Sequence, residues 1–322
     1  MGKSARSCKY IYVLFPREGS PHPPLLSPTL ITVRDTIRMS AGRSHISNAL
    51  AILSGGHAIH GDHAVLPAVV WPALSPHLRA LPIVDVGSHN GGDLTIPSAK
   101  LGHRVYAYEP TKATHDELLR NLRGAHIPID RSVAGFHLSG PGRVLVRRAA
   151  ASSRSGVALL STSTKYGGVA NTLSGLEALP AAYQKVPGGV RQVNVTTVTL
   201  SEELQHETAG VYLLKIDAQG HELQVLQGAA EYIRRRPVCM IMLEFAPQAL
   251  RAAGAEPLAV LKLLTEDFGY QCFDWRRAVP WKGAAPPTLE EFVDAHPPNR
   301  TLRRKFGAWT DLLCVRFDLL RR

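Results

Sequence analysis

Three short segments of this chain gather residue types that can do chemistry. The first is Asp85-Val86-Gly87-Ser88-His89-Asn90-Gly91-Gly92, which follows the apolar run from Pro82. Glycine carries no Cβ, so the backbone there can turn sharply and approach a ligand. A dinucleotide fingerprint would need G-x-G-x-x-G, with amides laid on a pyrophosphate. Here Gly91 lies four positions after Gly87, and Asp85 two positions before it. A carboxylate in that place suits a positively charged cofactor better than a diphosphate. A Gly-Lys-Ser or Gly-Lys-Thr phosphate loop is also missing at such a turn. The second segment is Tyr108-Glu109-Pro110: an ionised carboxylate accepts hydrogen bonds only and can receive both hydroxyls of a ribose. The third, Leu214 to Glu222, puts Lys215, Asp217, His221 and Glu222 within eight residues. Glu222 reads equally well as a carboxylate capping the next helix, and Lys215 as the structural partner of a nearby acid.

These segments need strand ends to hold them. Pro82 to Val86 reads as a buried parallel strand, Arg104 to Tyr108 as a second, Val144 to Val146 as the start of a third, Val211 to Ile216 as a fourth and Val238 to Phe245 as a fifth. Tyr270 to Trp275 and Leu312 to Phe317 are candidates for a sixth and a seventh. Helices are expected over Leu94–Leu101, Thr114–Arg123 and Gly220–Arg234, the last with Leu223, Leu226, Ala230 and Ile233 on one face. Strands alternating with helices predict a Rossmann-like, doubly wound α/β sheet, with the three segments at its carboxyl edge. The stretch from Ala150 to Leu200 is long, turn-rich, and holds one alternating strand, Gln192 to Val198. Tyr166, Asn171 and Thr172 are placed there as pocket candidates.

Taken together, VDVGSHNGG (84–92), YAYEP (106–110), RRAAASSRSG (147–156), LLKIDAQGHELQVLQGA (213–229) and MLEFAP (242–247) resemble class I S-adenosylmethionine-dependent methyltransferases, and within them the FkbM family. The resemblance covers about 80–250. It implies a seven-stranded, mostly parallel sheet with an antiparallel last strand, S-adenosylmethionine as cofactor, and O-methylation of a sugar, glycan or small natural product. It assigns Asp85, Gly87 and Gly91 to the amino-acid end of the cofactor and Glu109 to its ribose; Ser88 and Asn90 of the same turn join them as cofactor-binding candidates. Asp217 is a candidate cofactor contact and, with His221, the candidate proton acceptor. Glu222, Glu244 and Lys215 complete the candidate catalytic set.

Other readings follow from other features. His57, His60, Asp62 and His63 are metal-ligand types and superficially resemble the HxHxDH motif of metallo-β-lactamase-like hydrolases. Ala58 stands where the first ligand belongs, so no metal is expected. The net charge of +11 and pI of about 9.7 favour acidic partners, and RNA ribose O-methylation stays open as an alternative. The basic residues are scattered, however, and the Asn/Asp-Pro-Pro-aromatic turn of base methylation is replaced by Asp217-Ala218-Gln219-Gly220. A cofactor-binding scaffold without turnover is a further alternative.

Residues 1–44 form a basic, Pro- and Ser-rich leader expected to be poorly ordered, with five prolines between Pro16 and Pro28. Its composition allows an organellar transit peptide beside a cytoplasmic location or a later start at Met39. Residues 45–80 are expected to form a helical or irregular extension, with a helix over Ser44–Leu53, and 81–322 the main domain. The four cysteines (Cys8, Cys239, Cys272, Cys314) are too few in a chain this long to predict a disulfide framework, and a reducing compartment fits best. No apolar run reaches transmembrane length. The oligomeric state is not legible.

Overall fold

The structure is a computed structural model describing residues 13–14, 78, 80–130, 140–163, 171–173, 190–274, 288–295 and 309–320. The expected helix over Ser44–Leu53, the histidine cluster at 57–63 and Tyr166 lie outside the described residues.

Alternating side chains build the centre of the sheet. In β2 (Ile83–Val86) and β3 (Val105–Tyr108), Val84, Val86, Tyr106 and Tyr108 face one core, while Ile83, Val105 and Ala107 face the other. β11 (Val238–Phe245) does the same, with Ile241, Leu243 and Phe245 against Met240 and Met242. A strand buried on both faces is what a parallel sheet covered by helices requires. β5 (Val144–Arg147), β3, β2, β10 (Val211–Ile216) and β11 run parallel in that spatial order. β13 (Thr310–Val315) then pairs antiparallel to β11, and β12 (Gln271–Asp274) to β13. The last strand is therefore antiparallel, as expected. Among the described residues, two-residue strands extend the sheet to nine: β4 (Ile129–Asp130) beside β5, and β1 (Val13–Leu14) beside β12.

Helices cover both faces. α1 (Thr95–Lys100) and α2 (Lys112–Gly124) bury Ala99, Leu118 and Leu122 on one side. On the other side α3 (Leu200–Glu203), α4 (Glu222–Arg235), α5 (Pro247–Ala252), α6 (Pro257–Lys262) and α7 (Leu289–Asp294) contribute Leu200, Leu226, Ile233, Leu250, Val260 and Phe292. Burying side chains of this size stabilises the fold by about 1.5–3 kcal/mol each. Among the described residues no helix is long and apolar enough to cross a membrane.

Two features differ from the sequence reading. The stretch between β5 and β10 folds into a second sheet in the order β6-β9-β7-β8, from β6 (Ala150–Ala151), β7 (Gly156–Ser163), β8 (Asn171–Thr172) and β9 (Val190–Val198). Only β9 alternates clearly in sequence; β7 finds its place by pairing with it over eight register positions. One disulfide that the sequence reading did not anticipate is also present. Cys272 and Cys314 sit opposite each other on β12 and β13 and are bonded. They are 42 residues apart, and only strand pairing brings them together.

Candidate active site

The ends of β2, β3 and β10 and the near wall of the second sheet enclose a cavity of about 280 Å³. Gly87 turns the chain out of β2 with φ of 73°, a left-handed conformation. A Cβ at this position would lie 2.0 Å from the Asp217 carbonyl oxygen, so the turn presses against the end of β10. The amides of Gly87 and Ser88 donate to the Tyr108 carbonyl (3.0 and 3.1 Å), tying the turn to β3. Gly91 and Asn90 shape the turn from outside the cavity: a Cβ on Gly91 would meet Leu118, and Asn90 Oδ1 accepts from the Gly92 amide.

Register places the charged groups. Lys215 on β10 is the direct neighbour of Asp85 on β2. Its ammonium donates to the Gly87 carbonyl (2.8 Å) and faces Asp85 Oδ1 at 3.4 Å and Asp217 Oδ2 at 3.6 Å. Burial alone would lower the Lys215 pKa; Asp85 and Asp217 outweigh it and raise it above the ordinary lysine value. The other Asp85 oxygen accepts from the Thr95 hydroxyl (2.6 Å). Lys215 is thus a buried clamp between two strands, and its ammonium is occupied.

Glu109 sits at the end of β3, 4% exposed, and accepts from the His89 amide (3.2 Å) and the Thr111 amide (2.9 Å). Burial pushes its carboxyl up to about 7, against the downward pull of those two amides. His221 lies at the start of α4, its Nε2 2.9 Å from Ser152 Oγ. Burial lowers its pKa to about 4, so the imidazole is neutral at physiological pH. Glu222 Oε1 accepts from the amides of Ala218 and Gly220 (3.1 and 3.0 Å), which makes it the cap of the turn. Burial raises its carboxyl to about 7. Glu244, at the end of β11, stands one step beyond the Ile216–Leu243 register pair and is reached by the Gln219 amide.

Of the residues singled out in sequence, Asp85, Gly87, Ser88, Glu109, Lys215, Asp217 and His221 line the cavity; Asn90, Gly91, Glu222 and Glu244 stand behind it. Sequence reading did not single out Gln219, Ser152, Leu160 or Leu173. Gln219, Leu160 and Leu173 line the cavity, and Ser152 holds His221. The signal for Gln219 was present, since it lies inside the Asp217–Glu222 segment. Leu160 and Leu173 arrive through the second sheet and had none. Two of the three non-glycine residues with left-handed backbone among those described, His89 (φ 49°) and Gln219 (φ 50°), line this cavity. Such backbone is uncommon outside glycine and concentrates at functional sites.

The residues fit an adenosyl cofactor carrying a positive charge. The Ser88 hydroxyl is buried and has no hydrogen-bond partner, Glu109 is already aligned by two amides, and carboxylates outnumber cations around the space. The Methyltransferase FkbM domain pattern matches residues 85–272, more than half of the chain. The chain belongs to the FkbM methyltransferase family. It is an S-adenosylmethionine-dependent methyltransferase. No curated protein sequence matches it. Solved structures similar to it include an O-methyltransferase from Bacillus cereus in complex with S-adenosylhomocysteine, at 12% identity over 91% of this chain and 94% of that one, TM-score 0.38. Magnesium protoporphyrin IX methyltransferase from Synechocystis PCC 6803 with bound S-adenosylmethionine follows at 14% identity over 87% and 96%, TM-score 0.36. A putative rRNA methylase from Clostridium thermocellum is 8% identical over 74% and 89%, TM-score 0.30.

Proposed function

We propose that this FkbM-family methyltransferase methylates a hydroxyl oxygen on a neutral acceptor: a sugar, a glycan or a small natural product. One observation carries the reading. Four carboxylates, Asp85, Asp93, Glu109 and Asp217, line the described cavity, and its one cation, Lys215, is engaged by Asp85, Asp217 and the Gly87 carbonyl. Such a wall repels phosphates, and the described lining offers no free basic group for a nucleic-acid backbone. Ala149, Ala150, Ala151, Leu160 and Leu173 give the opposite side an apolar lining against which a sugar ring or carbon skeleton can rest.

The cofactor, when bound, supplies a methyl group already activated on a sulfonium. The chain's work is to bind, orient and remove a proton. Glu109 accepts the ribose hydroxyls, Asp85 and the Ser88 hydroxyl meet the amino-acid end, and the bare Gly87 backbone allows close approach. Asp217 accepts the proton of the acceptor hydroxyl. The neutral His221 imidazole, oriented by Ser152, is the second group able to do so. Placing an oxygen in line with the methyl carbon is worth more than any acid–base term once the leaving group is activated.

The test is transfer of a carbon-13 methyl label to a panel of glycosides and hydroxylated natural products, read by NMR of the products. A methoxyl signal supports the reading, with turnover falling about 10²–10⁴-fold in Asp217→Asn while S-adenosylhomocysteine still binds. Label found only on nitrogen, on a carboxylate or on RNA would overturn it.

A further inference from the structure

Two carboxyl groups at neighbouring strand ends are joined through one side-chain amide. Gln219 Nε2 donates to Asp217 Oδ1 and to Glu244 Oε2, both at 2.8 Å. Gln219 does this from left-handed backbone, at the edge of the cavity. Both amide hydrogens are committed, so one nitrogen fixes the orientation of two acids.

Among the described residues, acids outnumber cations around this bridge. Lys215 on β10 faces Asp85 and Asp217, at 3.4 and 3.6 Å. Glu244 has Asp217 on β10, Glu222 on α4 and Asp311 on β13 as acidic neighbours, and Asp311 is its direct register partner. Among the described residues that act on it, Lys215 is the one cation, and its ammonium lies beside Asp85 and Asp217. Like charges this close do not all ionise, and the acid with no adjacent cation among the described residues keeps the proton. Burial, then Asp217, Glu222 and Asp311, hold the Glu244 carboxyl well above the ordinary range, with Lys215 opposing. Its Oε2 accepts from Gln219, which leaves Oε1 to carry the proton.

We infer that Gln219 ties Asp217 and Glu244 into one unit holding a single proton, and that a cation placed in the cavity drives this proton off Glu244 into solvent. The inference rests on the cavity being the cofactor site, because the sulfonium is the cation. It gives the unit a defined proton count. One proton leaves to solvent on loading. When the acceptor hydroxyl must lose its proton, the unit is one short and takes it on Asp217. With the positive charge gone from the cavity, the unit is again singly charged and the atoms balance. Gln219 is a positioning residue in this scheme, since it acts only through the two acids.

The test is calorimetric binding of S-adenosylmethionine and S-adenosylhomocysteine to the full chain near neutral pH, in buffers of different ionisation enthalpy. The two ligands share the ribose and the amino-acid end, so the difference in protons released reads the sulfonium alone. More protons are expected to leave with S-adenosylmethionine. The excess should vanish in Glu244→Gln and shrink in Gln219→Asn, which tolerates the left-handed backbone but falls a methylene short. A melting curve checks that each variant folds; if Glu244→Gln does not, Gln219→Asn carries the test. Equal proton release for both ligands, or an excess that survives Glu244→Gln, overturns this inference and leaves the cofactor reading standing. Failure of both ligands to bind overturns the cofactor reading and this inference with it.

Discussion

The cavity has two halves built by different means. The proposed cofactor half, from Asp85 to Glu109, is made by chain segments close in sequence: Thr95 holds Asp85 from ten residues away, and the His89 and Thr111 amides hold Glu109 from twenty and two. The proposed acceptor half is assembled over longer spans, with Ser152 on His221 across 69 residues and Gln219 on Glu244 across 25. Local hydrogen bonds to strand-end turns give the first half one fixed geometry. The second depends on how the small sheet docks against α4. Gly228 shows how tight that docking is, because a Cβ there would lie 1.9 Å from the Ser152 carbonyl oxygen. On this proposal the cofactor site can stay constant while the acceptor site changes with the second sheet.

Lys215 belongs to both halves, and removing it should cost most. Lys215→Met leaves Asp85 and Asp217 without their cation and should destabilise the fold by about 3–5 kcal/mol, read from urea unfolding. An unchanged midpoint would mean that the two halves are not clamped together. Gly87→Ala attacks the seam between them, because its new methyl would press on the Asp217 carbonyl in a backbone that disfavours it. The expected loss is about 2–4 kcal/mol, together with cofactor affinity. Glu109→Gln isolates the cofactor half through pH. The native carboxyl titrates near 7, above its unfolded value of 4.5. The folded state then holds the extra proton between those values, and stability contributed by this group is lost as pH rises through that window. Relative to the native protein, Glu109→Gln should gain up to roughly 2–3 kcal/mol between pH 4.5 and 7.5 in the absence of cofactor. A difference independent of pH would show that Glu109 is not held neutral by burial. Ser152→Ala touches only the acceptor half. It should cost about 1 kcal/mol and move the His221 titration seen by NMR, while S-adenosylhomocysteine affinity stays the same.

The same contrast explains what could be read from sequence. β2, β3, β10 and β11 were legible because their residues are apolar on both faces, and the turns after them carry glycine and acids in fixed spacing. Asp85, Gly87, Ser88 and Glu109 followed from those local patterns, and the structure brings them to one cavity. The second sheet was mostly hidden. β7 exposes Val157 and Leu159 and buries Leu160, a pattern that only its pairing with β9 explains. The Cys272–Cys314 bond depends in the same way on the register of β12 and β13. The Lys215–Asp85 contact joins segments 130 residues apart and becomes visible only when β10 is known to lie beside β2. The Gln219 bridge was missed for another reason: a glutamine beside a glycine reads as a turn until its amide is seen between two acids.

The central claim is that the cavity at the ends of β2 and β3 holds the adenosyl cofactor through Glu109. Calorimetric titration of the full chain with S-adenosylhomocysteine, beside NAD and beside Glu109→Ala, tests it most directly. The account predicts micromolar binding by the native protein, at least about tenfold weaker binding by the variant, equivalent to ~1.4 kcal/mol, and no heat from NAD. Binding of NAD, or S-adenosylhomocysteine affinity untouched by the loss of Glu109, would contradict it.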